Sequence, residues 1–502
     1  MGAIPLLIFC VLGLAACTGV PFDAPREVSR ALPPGGTSAA ATAARLTGGD
    51  QGRVALVPLA DGNDALGARL GMIEEAERSI DIKTFLIKPD IAGALVWLKL
   101  YEAAERGVRI RLLYDDVFTT ARDDQIAALD AHPNVEIRVF NPLSRRSPAA
   151  VSFLLDFPRV NRRLHNKAMI VDGAFAIIGG RNIADEYYQI GTENEFADFD
   201  LFVAGGPVRE LAAAFDLYWN DVWSVPLSAF KAGDAAALAD ALDLFRQSAG
   251  SPAADIYRKA VGSSYLAGLR DGSVPYYTGR VSVAVDDPQK LRRPPGRGPY
   301  IAGEALFQAM RTARSDVLVL TPYFVPEAYG AAFFEDLARR GVRVRIATNS
   351  LAATNHPYVH GAYARYRNRL LAAGVEFLEV RADAPQLNRA ADRPLTMHTK
   401  LAVVDGRVLF VGSSNVDPRS IRQNTEIGMV IESPRLARNI LSRIDAVAGD
   451  YTFEVVSGPG GAPLWLYDGA GRRETFDDEP LAGALDHLIA TIAGWLPIES
   501  QL

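Results

Sequence analysis

Residues 163–172 read RLHNKAMIVD and lead to GGRN at 179–182, while residues 397–405 read MHTKLAVVD and lead to GSSN at 412–415. When the two stretches are aligned, His, Lys, Asp, Gly and Asn recur at one spacing, H-x-K-x4-D-x6-G-[GS]-x-N. A lone H-x-K on a strand is typical of an ordinary surface pair. Two matching sets in a chain with only six histidines instead predict one active site assembled from two half-sites.

The residue types of the repeated motif suit phosphoryl chemistry. Period-two alternation places His165 and Lys167 on one face of a strand, and His398 and Lys400 likewise. A neutral imidazole can attack phosphorus, and an imidazolium can protonate a leaving alcohol near neutral pH. Lys and Asn donate hydrogen bonds to phosphate oxygens, so the chemistry requires no metal and no cofactor. The predicted catalytic residues are His165, Lys167, Asn182, His398, Lys400 and Asn415.

Further residues are predicted to support the two histidines. Glu426 lies eleven residues after Asn415, and Asp200 lies eighteen residues after Asn182, each in a strand-like segment. A carboxylate there could accept the second ring N–H of its histidine and hold the tautomer. Asp198 competes with Asp200 for this role, and a plain polar residue at a strand start is the alternative. The other supporting residues are Asp172 and Asp405, expected to buttress the half-sites without touching substrate, and Gly180 and Ser413 of the two motifs.

The segments around the motifs repeat as well. Strand-like residues 77–85 and 313–320 are each followed by a helical stretch, a Gly turn and a second strand, at 106–113 and 340–346. In each half a further helix and strand lead to the motif. Because strands alternate with helices, the pattern predicts a mixed α/β sheet with helices outside, and the repeat predicts duplicated halves.

The paired motifs resemble the HKD motifs of the phospholipase D superfamily, and both halves keep every motif residue. Other stretches resemble bacterial cardiolipin synthases of the C type. The resemblance implies an α/β fold of two duplicated phospholipase D-like α-β-α domains, related by a pseudo-twofold axis, with the active site at their interface. The stretches are NRRLHNK at 161–167, GGRNI at 179–183, PYFVP at 322–326, TNSLAAT at 348–354 and NVDPRS at 415–420.

The resemblance also implies a mechanism. His165 attacks phosphorus and forms a phosphohistidine, while His398 protonates the leaving alcohol and then deprotonates the acceptor; the two roles could be reversed. The expected product is cardiolipin, with phosphatidylglycerol as acceptor and phosphatidylglycerol or phosphatidylethanolamine as donor.

Other functions stay open. Water as acceptor would make the enzyme a phospholipase D, and a tethered phosphodiesterase or nuclease is a second catalytic alternative. A silent envelope scaffold belongs to a different class, which intact motifs in both halves disfavour. The stretch KTFLIK at 83–88 departs from the Tyr-rich segment usual in relatives and leaves room for a changed donor or acceptor. The net charge of −6 does not indicate a broad basic surface, so no nucleic-acid partner is expected.

The amino terminus predicts attachment to a membrane. Residues 4–16 form an apolar run too short for a comfortable span, and LAAC at 14–17 resembles the lipobox of bacterial lipoproteins. We therefore expect a signal peptide at 1–16, lipidation of Cys17 and a flexible tether at 17–48. An uncleaved signal anchor is the alternative, since no Lys or Arg precedes the run. The expected location is the bacterial cell envelope, facing the periplasm, beside phospholipid substrates.

The rest of the chain divides into an N-terminal domain at 49–225, a linker with its own helix at 226–299 and a C-terminal domain at 300–502. The basic run KLRRPPGR at 290–297 could lie near membrane phosphates or be merely solvated. One face of the last helix is apolar, which predicts packing against the body, with membrane contact as the alternative. That face consists of Leu481, Leu485, Leu488, Ile489, Ile492 and Trp495.

Overall fold

A computed structural model describes residues 19–50, 52–120, 123–188, 195–384 and 394–502. The predicted signal peptide and Cys17 lie outside the described residues. Within the described ranges, no helix combines the length and the apolar character that crossing a membrane requires.

The first half is built on an eight-stranded sheet flanked by helices. Its strands are β1 (Val54–Leu59), β2 (Ser79–Thr84), β3 (Arg109–Asp115), β4 (Val135–Phe140), β5 (Ala168–Val171), β6 (Phe175–Gly179), β8 (Asp200–Gly205) and β9 (Ser224–Pro226); β7 (Glu195–Ala197) pairs elsewhere. The sheet order is β1-β8-β6-β5-β2-β3-β4-β9. Strands β2, β3 and β4 run parallel because a crossover separates each from the next, and the other pairs are antiparallel. The helices are α1 (Ser38–Thr47), α2 (Gly62–Glu75), α3 (Ile91–Glu105), α4 (Asp123–Asp130), α5 (Ala149–Leu155), α6 (Phe157–Val160), α7 (Pro207–Trp219), α8 (Ala235–Ala249), α9 (Arg258–Val261) and α10 (Tyr265–Asp271).

The second half has a ten-stranded sheet. Its strands are β10 (Arg280–Val285), β11 (Asp316–Leu320), β12 (Arg343–Asn349), β13 (Glu376–Val380), β15 (Leu401–Val404), β16 (Val408–Gly412), β17 (Ile427–Glu432), β18 (Thr452–Ser457), β19 (Pro463–Gly469) and β20 (Arg472–Phe476), and β14 (Leu395–Met397) lies apart. They are ordered β10-β17-β16-β15-β11-β12-β13-β18-β19-β20. The helices are α11 (Ile301–Arg311), α12 (Glu327–Arg339), α13 (Pro357–Ala372), α14 (Pro434–Tyr451) and α15 (Ala484–Trp495).

The order of the first eight strands is the same in both sheets, so the predicted duplication and the α/β fold are confirmed. Strand β10 is the counterpart of β1, because each pairs antiparallel with the last motif strand of its half. This strand lies inside the range 226–299 that was predicted as a linker. The second half therefore begins at Arg280 and not at residue 300.

Part of the expected flexible tether at 17–48 instead forms helix α1, which packs on the first half. Thr37 caps helix α1, because its Oγ1 accepts a hydrogen bond from the backbone N–H of Ala40. Ala39, Ala43 and Leu46 bury one face of this helix in the core of the first half. The Ala-rich composition that suggested a linker thus also suits a small helix packed closely on a sheet.

The two sheets pack against each other through an apolar layer that both halves supply. The layer includes Ile170 and Val203 from the first half and Val403 and Met429 from the second, all essentially inaccessible to solvent. Burying a side chain of this size contributes about 1.5–3 kcal/mol, so the layer holds the halves in a fixed relation. Any site between them is correspondingly rigid.

Asp172 and Asp405 end the first strand of each motif and adopt positive φ angles of 53° and 51°. The carboxylate of Asp172 accepts hydrogen bonds from the backbone N–H of Ser79 and its neighbours, and that of Asp405 accepts from Asp316 and its neighbours. Each aspartate therefore ties the end of β5 or β15 to the start of its antiparallel neighbour, β2 or β11. Both lie at the strand end remote from the histidines, in keeping with the expected buttressing role.

Candidate active site

The backbone of each histidine is held by the opposite half of the chain. His165 lies just before β5, and its N–H donates to the carbonyl oxygen of Thr425 at 3.0 Å. His398 lies just before β15, and its N–H donates to the carbonyl oxygen of Ala197 at 2.7 Å. The second contact extends the parallel pairing of β14 with β7. These exchanges bring the two motifs to one place between the halves.

The orienting carboxylates also cross between the halves. Nδ1 of His165 lies 3.0 Å from both carboxylate oxygens of Glu426. Nδ1 of His398 lies 2.6 Å from Oδ2 of Asp198. Glu426 was expected beside the histidine of its own motif, but the structure places its carboxylate on the histidine of the other half. Because each Nδ1 faces a carboxylate, Nε2 is the ring atom left for chemistry.

The prediction that Asp200 orients a histidine is wrong. Its carboxylate Oδ2 accepts from Arg69 at 2.9 Å and from Arg181 at 3.3 Å, inside the first half. Strand β8 begins at Asp200 and turns this side chain into the body of the domain. Asp198 precedes the strand, next to Ala197, and therefore faces the second half.

Gly180 and Ser413 explain why each motif has a small residue at this position. A Cβ on Gly180 would lie 2.1 Å from Oδ1 of Asp198, so a side chain there would displace the carboxylate. The hydroxyl of Ser413 donates a short hydrogen bond to Oε2 of Glu426. Gly180 thus leaves room for the carboxylate of Asp198, and Ser413 holds the carboxylate of Glu426 in place.

Two lysines bring positive charge to the buried site. Nζ of Lys167 donates to the carbonyl oxygen of His165 at 2.6 Å. Nζ of Lys400 donates to the carbonyl oxygen of His398 and lies 2.9 Å from its Nδ1. Burial lowers the pKa of Lys167 to about 7 and that of Lys400 to about 8. An anion bound between the two lysines would raise both pKa values and keep both side chains protonated.

The histidines are buried, with 9% of His165 and 6% of His398 exposed. Burial, assisted by Lys167 and Lys400, lowers the pKa of His165 well below its usual value. Burial and Lys400 lower the pKa of His398 to about 3, against the opposing effect of Asp198. Without an anion both rings are therefore neutral at physiological pH.

The two carboxylates differ in charge state. Burial raises the pKa of Glu426 to about 7, although Lys167 opposes the shift. Burial also acts to raise the pKa of Asp198, but His398 and Lys400 outweigh it, and the pKa is lowered. Asp198 is thus firmly ionised, which favours an imidazolium at His398 once a phosphodiester is present.

The two predicted asparagines lie in the same buried site. Nδ2 of Asn182 has no acceptor within hydrogen-bonding distance among the described residues, while its Oδ1 lies 3.5 Å from the hydroxyl of Thr84. Oδ1 of Asn415 is likewise buried without a donor in the described part of the chain. Asn182 therefore retains a donor for a phosphate oxygen, whereas the unsatisfied atom of Asn415 is an acceptor.

Three aromatic residues that sequence reasoning missed surround the histidines. The ring of Phe85 meets that of His165 edge-on at 5.0 Å, and Tyr187 meets His398 edge-on at 5.3 Å. Phe196 stacks on His398 at 5.2 Å. Phe85 belongs to the divergent segment 83–88, and the other two lie between Asn182 and Asp198. No periodic pattern marks them; only their nearness in sequence to the motifs gave a signal.

Two further histidines, His356 and His360, contact other side chains of the second half. Nε2 of His360 lies 3.1 Å from Glu479, which with Glu379 forms a compact acid cluster. Arg367 donates to both carboxylates, at 2.8 and 3.0 Å, so a cation already occupies this cluster. The ring of His356 packs on Tyr323, and burial lowers its pKa to about 4.

Comparison with known proteins places both motifs in one family. The family model described as "Cardiolipin synthase, PLD-like domain" matches the chain twice, at residues 70–219 and 306–447. Each match encloses one complete motif.

Two relatives illustrate the range of similarity. Cardiolipin synthase C of Escherichia coli K12 is 35% identical over 455 residues, which cover 89% of this chain and 96% of that protein. A cardiolipin synthase of Oceanobacillus iheyensis is 25% identical over 389 residues, covering 77% of this chain and 67% of that protein. Among solved structures, a phosphatidylserine synthase of Haemophilus influenzae Rd KW20 is similar in fold, with a TM-score of 0.58 and 12% identity over 90% of this chain and 96% of that one.

Sulfate, whose charge stays constant between pH 6 and 9, should bind at the lysine pair with proton uptake. Because the pKa values of Lys167 and Lys400 are about 7 and 8 before sulfate binds, sulfate affinity should fall as pH rises from 7 to 9, by roughly two to three orders of magnitude if both lysines must be protonated. Calorimetry in buffers of different ionisation enthalpy measures the sulfate affinity and the number of protons taken up on binding. Replacement of Lys400 by Met should reduce the proton uptake. A sulfate affinity independent of pH would contradict the assignment of the lysine pair as the anion site.

Proposed function

The chain belongs to the family of cardiolipin synthase phospholipase D-like domains and is a phospholipase D-type phosphatidyltransferase, and we propose that it makes cardiolipin from two phospholipids. The phosphatidyl group passes through a phosphohistidine intermediate, and the enzyme works at a membrane to which it is tethered. The observation that carries the proposal is the pair of buried histidines, each with Nδ1 on a carboxylate of the opposite half. Such a pair supplies one nucleophile and one acid to a single phosphodiester.

The first step is attack by Nε2 of His165 on phosphorus. Glu426 holds the Nδ1 proton, which leaves the Nε2 lone pair free for attack. The phosphorus–oxygen bond to the donor alcohol breaks, and that alcohol leaves with a proton from His398. Lys167, Lys400, Asn182 and Asn415 stabilise the charge on the other phosphate oxygens.

The difference between the carboxylates supports this division of roles. The low pKa of Asp198 keeps a full negative charge beside His398, which stabilises the imidazolium that an acid catalyst requires. Glu426, whose pKa is raised to about 7, in its ionised form stabilises the positive charge that the His165 ring acquires on phosphorylation. In the second step His398 removes the proton of the acceptor alcohol, which then attacks the phosphohistidine.

A lipid alcohol suits the surroundings of the site better than water does. Phe85, Tyr187 and Phe196 line the two imidazoles with apolar surface, and both rings are nearly inaccessible to solvent. Phosphatidylglycerol is the proposed acceptor, and phosphatidylglycerol or phosphatidylethanolamine the donor. This choice is supported by the names of the relatives, which are cardiolipin synthases.

Purified protein with labelled phosphatidylglycerol, with and without phosphatidylethanolamine, should form labelled cardiolipin, because a glycerol hydroxyl replaces the first alcohol on phosphorus. Thin-layer chromatography with mass spectrometry identifies the products. Phosphatidic acid as the only product would show hydrolysis instead of transfer. Cleavage of DNA or a model diester without lipid turnover would contradict both lipid activities.

The roles of the two histidines can be separated with a phosphodiester whose leaving group is p-nitrophenol, which needs no protonation. His398→Ala should slow turnover of natural lipid by roughly 10²–10⁴-fold. The same variant should still release a burst of nitrophenol and accumulate a phosphatidyl adduct on His165, detectable by mass spectrometry after an alkaline quench. His165→Ala should give no burst. A burst from His165→Ala alone would mean that the roles are reversed.

Tethering through Cys17 is the part of the proposal that concerns localisation. A bacterial host expressing the chain should incorporate labelled fatty acid into it, because a lipidated Cys17 carries acyl chains. Cys17→Ser should abolish the incorporation, whereas Cys10→Ser serves as the matched control within the same apolar run. Labelling that persists in Cys17→Ser would refute the anchor.

A further inference from the structure

The C-terminal helix α15 turns its large apolar side chains towards solvent. Leu485, Leu488, Ile492 and Trp495 are 67%, 56%, 46% and 81% exposed. Leu481, just before the helix, and Leu496, just after it, continue the stripe. The predicted packing of this face against the body is therefore wrong. We call the stripe the apolar face of α15.

Helix α15 packs on the body through its small residues. Ala490 and Ala493 are buried, and a Cβ on Gly361 of α13 would lie 2.1 Å from the carbonyl oxygen of Ala490. The two helices approach too closely for larger side chains on this side. A helix that buries alanine and exposes leucine and tryptophan reverses the usual order, which indicates that the exposed face has an apolar partner.

The apolar face stands at the rim of the active site. Ile498 and Leu502, which follow α15, pack with Tyr323 in a small apolar cluster. The carbonyl oxygen of Leu502 accepts from the backbone N–H of Arg419, four residues beyond Asn415. The chain end thus joins α15 directly to the second motif.

The first half adds apolar surface at the same place. Nδ2 of Asn161, four residues before His165, donates to Oε1 of Gln501 at 2.9 Å. Just ahead of it, Leu154, Leu155 and Phe157 are 80%, 50% and 46% exposed. Apolar side chains of both halves therefore flank the contact between Asn161 and Gln501.

Unpaired cations border this apolar surface. Arg162 donates to the carbonyl oxygens of Leu291 and Arg293, which brings the basic run 290–297 beside Asn161. Arg292 is paired with Asp221, whereas Arg293 and Arg297 form no ion pair with any carboxylate in the described part of the chain. Guanidinium groups without counter-charge next to apolar side chains are complementary to a layer of anionic phospholipid.

We propose that the apolar face of α15, with Leu154, Leu155, Phe157 and the arginines of 290–297, docks on the surface of an anionic phospholipid bilayer. The leucines, Ile492 and Trp495 enter the boundary between headgroups and acyl chains, and the exposed Arg297 lies at the phosphates. Docking brings the rim of the site to the level of the lipid phosphates. This inference rests on the proposed function, which makes phospholipids the substrates, and adds the surface by which they are reached.

Trp495 gives a direct test, because it is the only exposed tryptophan of the five; Trp97, Trp219 and Trp465 are buried and Trp223 is half-buried. When the purified full chain meets vesicles of phosphatidylglycerol and phosphatidylcholine, its fluorescence should shift to the blue and be quenched by brominated acyl chains. Trp495→Phe should remove both signals. The readout is local, so anchoring at the amino terminus does not produce it.

Leu488→Glu with Ile492→Glu should reduce the fraction of quenched Trp495 at a given lipid concentration by on the order of tenfold. Both side chains are exposed, so the variant should melt at the wild-type temperature. Leu244→Glu, an exposed leucine on α8, should quench like the wild type and is the matched control.

Absence of a blue shift and of quenching with vesicles would overturn the proposal. So would a blue shift that appears without vesicles and grows with protein concentration alongside dimers in sedimentation, since a second copy would then cover the face. Quenching without any lipid turnover would support the docking surface and contradict only the proposed activity.

Discussion

The active site depends on a crossed arrangement in which neither half holds its own histidine. Glu426 and His165 are 261 residues apart, and Asp198 and His398 are 200 residues apart. The backbone N–H groups of the two histidines also donate to carbonyl oxygens of the opposite half. A half on its own would lack both the carboxylate that orients its histidine and the enclosure that buries the site. Assembly of the halves and assembly of the site are therefore one event.

Burial of the site determines the charge states of its side chains. The same enclosure that lowers the pKa of both lysines and both histidines raises the pKa of Glu426. Each shift moves a group towards its neutral form, and the approach of a phosphodiester anion reverses the shifts of the cations. The empty site is thus poised to bind negative charge, and its two carboxylates, unequally ionised, break the symmetry that the duplicated motifs set up.

The duplication does not extend to the rim of the site. The second sheet carries two extra strands, β19 and β20, after which the chain turns into α15 and ends against Arg419 and Asn161. The first sheet ends at β9, the counterpart of β18. The reacting groups therefore obey the pseudo-twofold axis, whereas the surface that meets the substrate does not.

The sequence by itself determined the two half-sites, the alternation of strands and helices, the family and the identity of Glu426 as a supporting carboxylate. These follow from local spacing, because period two decides which side chains share a strand face. Only the tertiary structure decided that Asp198 and not Asp200 faces a histidine, that each carboxylate serves the opposite half, and that α15 exposes its leucines. Those outcomes depend on how the chain turns ahead of β8 and on which face of a helix another element leaves free. Such relations join residues hundreds of positions apart, and no pattern within one segment encodes them.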